Sequence, residues 1–271
     1  MTTSEESKTP AGSYTQYSPA RYWDYLLGGY YNFEIDRKVA ARILQACPDV
    51  RLGALANRSF LRRTVRYIEN QGVTQFLDLG SGLPTVGPVH EIAEGMNPNS
   101  RTVYVDNDPV AITHSQSILA GNPKVAAIEE DVRNIEKIFG NKKFEGLIDL
   151  DQPIGVLLVA VLHFIKDDGI AAEILNTIMT RVASGSYLVI SHYTLDGAPR
   201  SVMEGLNGIS STSAGSTKPR SLVEVGRFFT GFELVEPGVV RLPLWRPEGP
   251  DEILVQEPER ALGYCGVGRK G

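Results

Sequence analysis

Cysteine is nearly absent from the sequence, with two residues in 271, at positions 47 and 265. Two cysteines so far apart have no metal-ligand spacing, and we expect buried thiols of the kind found in a cytoplasmic protein. No run of eighteen apolar residues exists that could form a membrane-spanning helix. The polar N-terminus lacks the apolar stretch of a signal peptide. We therefore predict a cytoplasmic protein that does not bind membranes, with a disordered tail over residues 1–18.

Positive charge is also in deficit, with 27 Lys and Arg against 32 Asp and Glu and a net charge of −5. This balance argues against general nucleic-acid binding, which favours a basic surface. No Gly-x-Ser-x-Gly elbow indicates a serine hydrolase. The acids Asp149, Asp151, Asp167 and Asp168 flank opposite ends of one predicted strand. We therefore predict no metal site.

One stretch, residues 75–85 (QFLDLGSGLPT), has the pattern of a strand, a glycine turn and a helix start. Gly80 and Gly82 permit a tight turn and let a ligand approach bare backbone. Such a unit opens the nucleotide-binding half of a doubly wound sheet, where ligands bind at the carboxyl ends of the strands.

The same turn indicates which nucleotide binds. A dinucleotide site has glycine at the sixth position of Gly-x-Gly-x-x-Gly, where this chain has Thr85. Pro84 and Pro88 remove N–H donors from the place where a phosphate would lie. Asp78 repels phosphate but suits an ammonium group, so the turn favours S-adenosylmethionine (SAM) over NAD.

Two later strands also end in acids. Asp106 closes a strand over residues 101–106, where a carboxylate can accept hydrogen bonds from ribose hydroxyls, and Asn107 follows it. Asp131 is placed to bind the adenine amino group and the Val132 N–H a ring nitrogen. The alternative is that these acids only cap helices or face solvent.

The chain resembles a bacterial SAM-dependent methyltransferase family formerly described as a domain of unknown function. The resemblance covers most of the chain after residue 18. It is carried by residues 20–29 (ARYWDYLLGG), 32–33, 57–58, 75–85, 104–109 (YVDNDP), 161–164 (VLHF) and 185–189. It implies the class I methyltransferase fold and a SAM site, in which Arg58 binds the SAM carboxylate. It does not identify the methyl acceptor.

Residues 19–72 are predicted to form an N-terminal helical arm on a SAM-binding domain over residues 73–271. The densest aromatic cluster of the chain lies at residues 22–33. It is a hydrophobic anchor for the arm, a lid that covers the cofactor, or both. A basic face on the last arm helix, with Arg62, Arg63 and Arg66, is expected to be solvated.

The apolar run over residues 154–162 is typical of the central strand of a parallel sheet. His163 follows it, where a ligand would lie. The segment resembles one of small-molecule O-methyltransferases whose histidine is the general base, although Phe164 replaces the acid that commonly follows. His163 is therefore the first candidate base and His192, at the end of the next strand, the second.

The predicted fold class is α/β: a doubly wound, mostly parallel sheet of seven strands with one antiparallel edge. The Ser/Gly-rich stretch 205–216 is expected to be a surface loop or a substrate lid. The predicted function is SAM-dependent O- or N-methylation of a small molecule. The alternatives are a SAM-binding sensor without turnover and a nucleotide-dependent oxidoreductase.

Overall fold

A mostly parallel β-sheet forms the centre of the molecule. The structure is a computed structural model that describes residues 15–210 and 216–271. Its strands are β1 Gln75–Leu79, β2 Arg101–Asp106, β3 Val125–Glu129, β4 Gly155–Val159, β5 Tyr187–Tyr193, β6 Glu233–Leu234, β7 Val240–Arg241 and β8 Gly263–Arg269. They lie in the order β3-β2-β1-β4-β5-β8-β6, and β7 pairs with β8 off this path.

Helices precede the sheet and connect its strands. They are α1 Pro19–Leu26, α2 Glu34–Ala46, α3 Val50–Asn70, α4 Val89–Met96, α5 Pro109–Ile118, α6 Ile135–Phe139, α7 Lys142–Glu145, α8 Asp168–Arg181, α9 Arg200–Ser210 and α10 Leu222–Arg227. No helix in the described ranges is both long and apolar enough to cross a bilayer.

The pairing of the strands confirms the predicted fold class. β1 pairs in parallel with β2 on one side and β4 on the other, so the connections diverge at β1. The carboxyl ends of β1 and β4 therefore flank a topological switch point, where doubly wound folds bind ligands. β8 runs antiparallel to β5. On either side of Pro237 and Gly238 the chain forms the short strands β6 and β7, and over the described residues the count is therefore eight, one more than predicted.

Apolar side chains cover both faces of the sheet. In β1, Leu77 and Leu79 belong to a cluster with Ile174 and Ile178 of α8. Phe76 points to the opposite face, as alternation along a strand requires, and joins a second cluster with α3 and α4. This two-sided burial explains why the parallel strands have apolar residues on both faces.

The basic face of α3 is only partly solvated, because Arg63 is buried, contrary to the prediction, whereas Arg62 and Arg66 reach solvent. Arg63 is buried and donates hydrogen bonds to the carbonyl oxygens of Trp245 (2.8 Å) and Leu242 (2.9 Å). Arg62 and Arg66 form ion pairs with Glu248. A distant segment of the chain supplies these partners, so the local spacing of the arginines could not indicate them.

The Ser/Gly-rich stretch is not simply a loop. α9 extends to Ser210 and covers its first six residues, while residues 211–215 lie outside the described part of the chain. Gly205 lets α9 approach α2, because a Cβ built there would lie 2.8 Å from the Cβ of Ala46. Packing on α2 thus accounts for a helix where composition favours a loop.

The ordered contacts of the predicted arm begin before residue 19, within the predicted tail. Residues 1–14 of the tail lie outside the described residues. Ser18 caps α1 through its side chain, and the ring of Tyr17 lies 6.1 Å from that of Tyr22. Residues 17 and 18 therefore contact α1, the first helix of the predicted arm.

Candidate active site

A cavity of about 380 Å³ opens at the carboxyl ends of β1, β2 and β4. The eight residues predicted to bind the cofactor come from four separate parts of the chain, and all of them line this cavity. They are Arg58, Asp78, Gly80, Gly82, Asp106, Asn107, Asp131 and Val132.

The glycine turn after β1 has the left-handed backbone that its sequence predicts. Gly80 has φ +68° and Gly82 φ +62°. The N–H groups of Gly80 and Ser81 donate to the carbonyl oxygen of Val105 at 2.8 and 3.0 Å. That of Gly82 donates to Oδ2 of Asp106 at 2.8 Å. These three amides are therefore not free to hold a phosphate.

The bare side of Gly80 faces protein, which corrects the expectation that it admits a ligand. A Cβ built on Gly80 would lie 2.5 Å from Cγ2 of Val161. On Gly82 the nearest atoms are those of Ala20 in α1, at 3.8 Å. The turn is compact because two other elements pack against its glycines.

Asp106 ties the turn to the next loop. Its Oδ2 accepts the Gly82 N–H, and its Oδ1 accepts the N–H of Asp108 at 2.9 Å. Burial raises the pKa of Asp106 to about 6, although these N–H groups oppose the shift. Each carboxylate oxygen can accept a second hydrogen bond. Asp106 can therefore hold the turn and still bind a hydroxyl in the cavity.

Asp78 and Arg58 carry opposite charges on the wall of the same cavity. Among the described residues, neither side chain has a hydrogen-bond or ion-pair partner within 4 Å, although each affects the other electrostatically. Burial raises the pKa of Asp78 to about 7, opposed by Arg58 and reinforced by Asp106. Burial also lowers the pKa of Arg58. A carboxylate and a guanidinium held apart in this way suit a zwitterion between them.

The loop after β3 contains the Asp131 carboxylate, which is already paired, and the Val132 backbone N–H, which is free within the described residues. Nε of Arg133 donates to Asp131 at 2.8 Å, and the Arg133 hydrogen bond lowers the pKa of Asp131 to about 2. Asn107 approaches the same carboxylate at 3.4 Å. The N–H of Val132 has no acceptor within the described ranges. A ring nitrogen could accept that N–H.

α1 covers the glycine turn. Oγ1 of Thr85 donates to Oδ1 of Asp24 at 2.9 Å, and the Ser18 hydroxyl bonds to Asp108. Trp23 and Asp24 line the cavity together with the predicted residues. The aromatic arm is thus one wall of the site, and Trp23 was not among the predicted site residues.

A second cavity of about 190 Å³ adjoins the first. Trp23, Asn57, Ala160 and Phe164 line both cavities. α9 contributes Leu206 and Ile209 to its wall. A molecule in the second cavity would therefore lie beside one in the first.

His163 lines the second cavity and not the first. Its ring is buried, and neither ring nitrogen has a hydrogen-bond partner among the described residues; Nδ1 is fully enclosed. Burial lowers the pKa of His163 well below its usual value, and His192 and Arg220 add to the effect. His163 is therefore neutral at pH 7 and free to accept a proton.

His192 cannot act as the base, because both of its ring nitrogens are occupied. Nη1 of Arg220 donates to Nε2 at 2.8 Å, and Nδ1 lies 2.7 Å from the carbonyl oxygen of Tyr193. Since arginine only donates, Nε2 is the unprotonated nitrogen and Nδ1 carries the proton. Burial also lowers the pKa of His192 to about 4.

Ala160 is a site residue that no sequence pattern indicated. It follows β4 with φ +61°, an unfavourable conformation for a residue with a Cβ. Its N–H donates to Oγ of Ser191 at 2.9 Å, and that hydroxyl donates to Oδ1 of Asn57 at 2.6 Å. These bonds hold the backbone between the two cavities. Alanine itself gives no signal of such a role.

Comparisons with known proteins agree with this geometry. A family model described as "S-adenosyl methyltransferase" matches residues 8–271. The crystal structure of a "putative methyltransferase" from Thermobifida fusca YX is 38% identical, with a TM-score of 0.89 over 96% of this chain and 98% of that one. A DUF574 family protein from Streptomyces avermitilis MA-4680 is 32% identical, with a TM-score of 0.89 over 96% of this chain and 99% of that one. A search of curated proteins gave no match.

Proposed function

Since this chain belongs to the S-adenosyl methyltransferase family, we propose that it uses SAM to methylate an oxygen or nitrogen of a small molecule. The first cavity would hold the cofactor and the second the acceptor. The observation that carries this assignment is the pair of unpartnered opposite charges, Asp78 and Arg58, on the wall of the first cavity.

The residues of the first cavity fit SAM part by part. Asp78 would bind its ammonium group and Arg58 its carboxylate, because each lacks a counter-charge at contact distance within the described chain. Asp106 would accept hydrogen bonds from the ribose hydroxyls. Asp131 and the free Val132 N–H would bind the adenine edge, with Asn107 beside them.

The same cavity fits a dinucleotide poorly. A pyrophosphate needs free backbone N–H groups at the turn, and those of Gly80, Ser81 and Gly82 all donate to protein oxygens. Asp78 would also repel it. This disfavours the oxidoreductase alternative on grounds independent of sequence similarity.

When bound, SAM supplies a methyl group on a positively charged sulfur, and the acceptor takes that methyl as the carbon–sulfur bond breaks. The protein's part is to position the acceptor and exclude water. Trp23 and Phe164 line the junction of the two cavities and would serve both purposes. A hydroxyl acceptor must also lose a proton, and His163 is the neutral base available in the second cavity.

Two measurements test the proposal. Calorimetry should show SAM binding to the purified protein, and Asp106→Asn should weaken it by about 1.5–3 kcal/mol, as expected for a charged hydrogen bond. Release of S-adenosylhomocysteine with a metabolite extract separates turnover from binding alone. Binding without release in any extract fraction would favour the sensor alternative.

Once an acceptor is known, His163→Gln tests the base. The substitution keeps hydrogen bonding but removes titration, so we expect a rate loss of about 10²-fold on a hydroxyl acceptor. SAM affinity should not change, because His163 lies outside the first cavity. In the wild type the rate should rise with pH along a limb below pH 6.5, because the pKa of His163 is lowered. An unchanged pH profile in the variant would make His163 a packing residue.

A further inference from the structure

We propose that the second cavity binds an uncharged aromatic molecule of one ring that carries a hydroxyl group. Its role as methyl acceptor rests on the proposed function, whereas the binding itself does not. Three properties of the cavity lead to this class of ligand: its size, its lack of free charge and its unpaired hydroxyl groups.

The size and lining of the cavity select a small, largely apolar ligand. An engineered cavity of roughly 150 Å³ holds benzene, so a cavity of about 190 Å³ has room for a substituted ring. Aromatic and aliphatic side chains form most of its wall, among them Trp23, Val39, Ile43, Phe164 and Leu206. Aromatic walls favour an aromatic guest through offset or edge-on ring contacts.

The cavity offers no free charge to a charged ligand. Of the described residues that line it, only Arg260 carries a full charge. Its guanidinium is already paired with Asp49 at 2.7 Å and Glu257 at 2.6 Å. His163 and His192 are neutral at pH 7, because burial lowers their pKa values. A carboxylate, phosphate or ammonium group would lose its hydration here without gaining a counter-ion.

Hydrogen-bonding groups nevertheless remain available in the cavity. Tyr17, Tyr22 and Tyr193 line it, and none of their hydroxyls has a hydrogen-bond partner among the described residues. The ring of Tyr22 lies 6.1 Å from that of Tyr17. Burial raises the pKa of Tyr22, and Tyr17, Cys47 and Tyr193 add to the shift. The ring of His163 lies 6.3 Å from that of Tyr193.

Together these groups match a phenol better than a hydrocarbon. Neutral tyrosine hydroxyls both donate and accept, and Nε2 of neutral His163, the ring nitrogen that is not enclosed, adds a donor or an acceptor. A hydrocarbon of the same size would leave these polar groups without partners, which is unfavourable in a buried site. One hydroxyl on an aromatic ring can bond to some of these groups without bringing in charge.

Three probes with the same ring and hydroxyl test the charge argument on the full chain. They are 4-methylphenol, 4-hydroxybenzoate and 4-(aminomethyl)phenol, which are neutral, anionic and cationic at pH 7. Dissociation constants are measured by ligand-observed NMR, with and without saturating S-adenosylhomocysteine. We expect 4-methylphenol to bind at least about tenfold more tightly than either charged probe, because their charges would be buried without a partner. Equal or tighter binding of a charged probe, or no binding of 4-methylphenol, would overturn the inference.

Two variants locate the binding. Leu206→Trp places a larger side chain in the cavity wall and should abolish 4-methylphenol binding. Leu222→Trp adds the same side chain at an exposed position of α10 and should not change it. Tyr193→Phe removes a single hydroxyl and should weaken binding by about 3- to 10-fold. If Leu206→Trp does not fold, Tyr193→Phe alone tests whether the probe binds in this cavity. Binding that survives both cavity variants would place the probe elsewhere and refute the proposal.

SAM affinity is measured on the same samples to separate the two proposals. A protein that binds SAM but not 4-methylphenol would retain the proposed function and lose this inference. A protein that binds 4-methylphenol in the cavity but not SAM would support this inference and contradict the proposed function.

Discussion

Asp78 and Asp106 line one cavity with raised pKa values of about 7 and about 6. Both must be ionised to bind the ammonium and hydroxyl groups of SAM as proposed. SAM affinity should therefore fall as the pH drops from 8 to 5, by up to about tenfold per pH unit for each proton that must be lost. Asp78→Asn should bind SAM at least about tenfold more weakly at pH 8 and show a flatter profile.

Calorimetry across this pH range checks the prediction, with Glu145→Gln, an exposed acid, as the control. An identical pH profile in Asp78→Asn would remove Asp78 from the site.

The raised pKa of Asp78 also affects the stability of the protein without ligand. In the unfolded chain the pKa of Asp78 is near 3.8. The protonated Asp78 side chain therefore contributes its full share to the free energy of unfolding below about pH 4, and this contribution is lost as the pH rises through about 7.

Gly80 and Gly87 both have positive φ but different surroundings. A Cβ at Gly80 would lie 2.5 Å from Val161, whereas nothing lies within 4 Å of one at Gly87. Gly87→Ala should cost about 1–2 kcal/mol from the left-handed backbone alone. Gly80→Ala should cost about 1–3 kcal/mol more, from overpacking. Urea unfolding of both variants measures the difference, and equal losses would show that Val161 moves aside freely.

Among the elements, α1 is attached to the loops around the first cavity by few side-chain hydrogen bonds. Thr85 to Asp24 is one of them, at 2.9 Å. Thr85→Val keeps the shape but loses the hydroxyl, so α1 should open more readily and SAM dissociate about 3- to 10-fold faster. Stopped-flow fluorescence of Trp23, which lines both cavities, follows the release. Thr113→Val, which breaks a hydroxyl contact at an exposed site, should leave that rate unchanged.

The elements that could be predicted from the sequence are those whose pattern is local. The strands from β1 to β5 are apolar runs that end in acids or histidines, and a parallel sheet brings such ends together. That is why seven of the eight predicted residues meet in one cavity, whereas Arg58 lies on α3 and was expected from the family resemblance alone.

The features that could not be predicted depend on contacts between distant parts of the chain. Glu248 and Glu252 give the basic face of α3 its partners, and Val161 fills the space beside Gly80. α2 accounts for a helix in a Ser/Gly-rich stretch. The second cavity is formed by the arm, α9 and the end of β5, which are far apart in the sequence.

At the scale of the whole molecule, Arg63 joins the N-terminal arm to the segment before β8. Its side chain is 3% exposed and bonds to Trp245, Leu242 and Glu252. Arg63→Met should destabilise the fold by about 3 kcal/mol or more, because two buried carbonyls lose their donor. Arg66→Met breaks an exposed pair with Glu248, 51% and 45% exposed, and should cost under about 1 kcal/mol. Denaturant unfolding compares the two, and similar losses would contradict a joining role for Arg63.

The shared wall of Trp23, Asn57, Ala160 and Phe164 has a thermodynamic consequence. A ligand in either cavity packs against side chains that the other ligand also contacts. The two occupancies are then linked by one coupling free energy, which must be the same from both sides. If the bound cofactor changes the dissociation constant of the acceptor by some factor, the bound acceptor must change the dissociation constant of the cofactor by the same factor. Where the two ligands stabilise the same arrangement of these four residues, the protein would hold its methyl donor more firmly when a molecule able to receive the methyl is present.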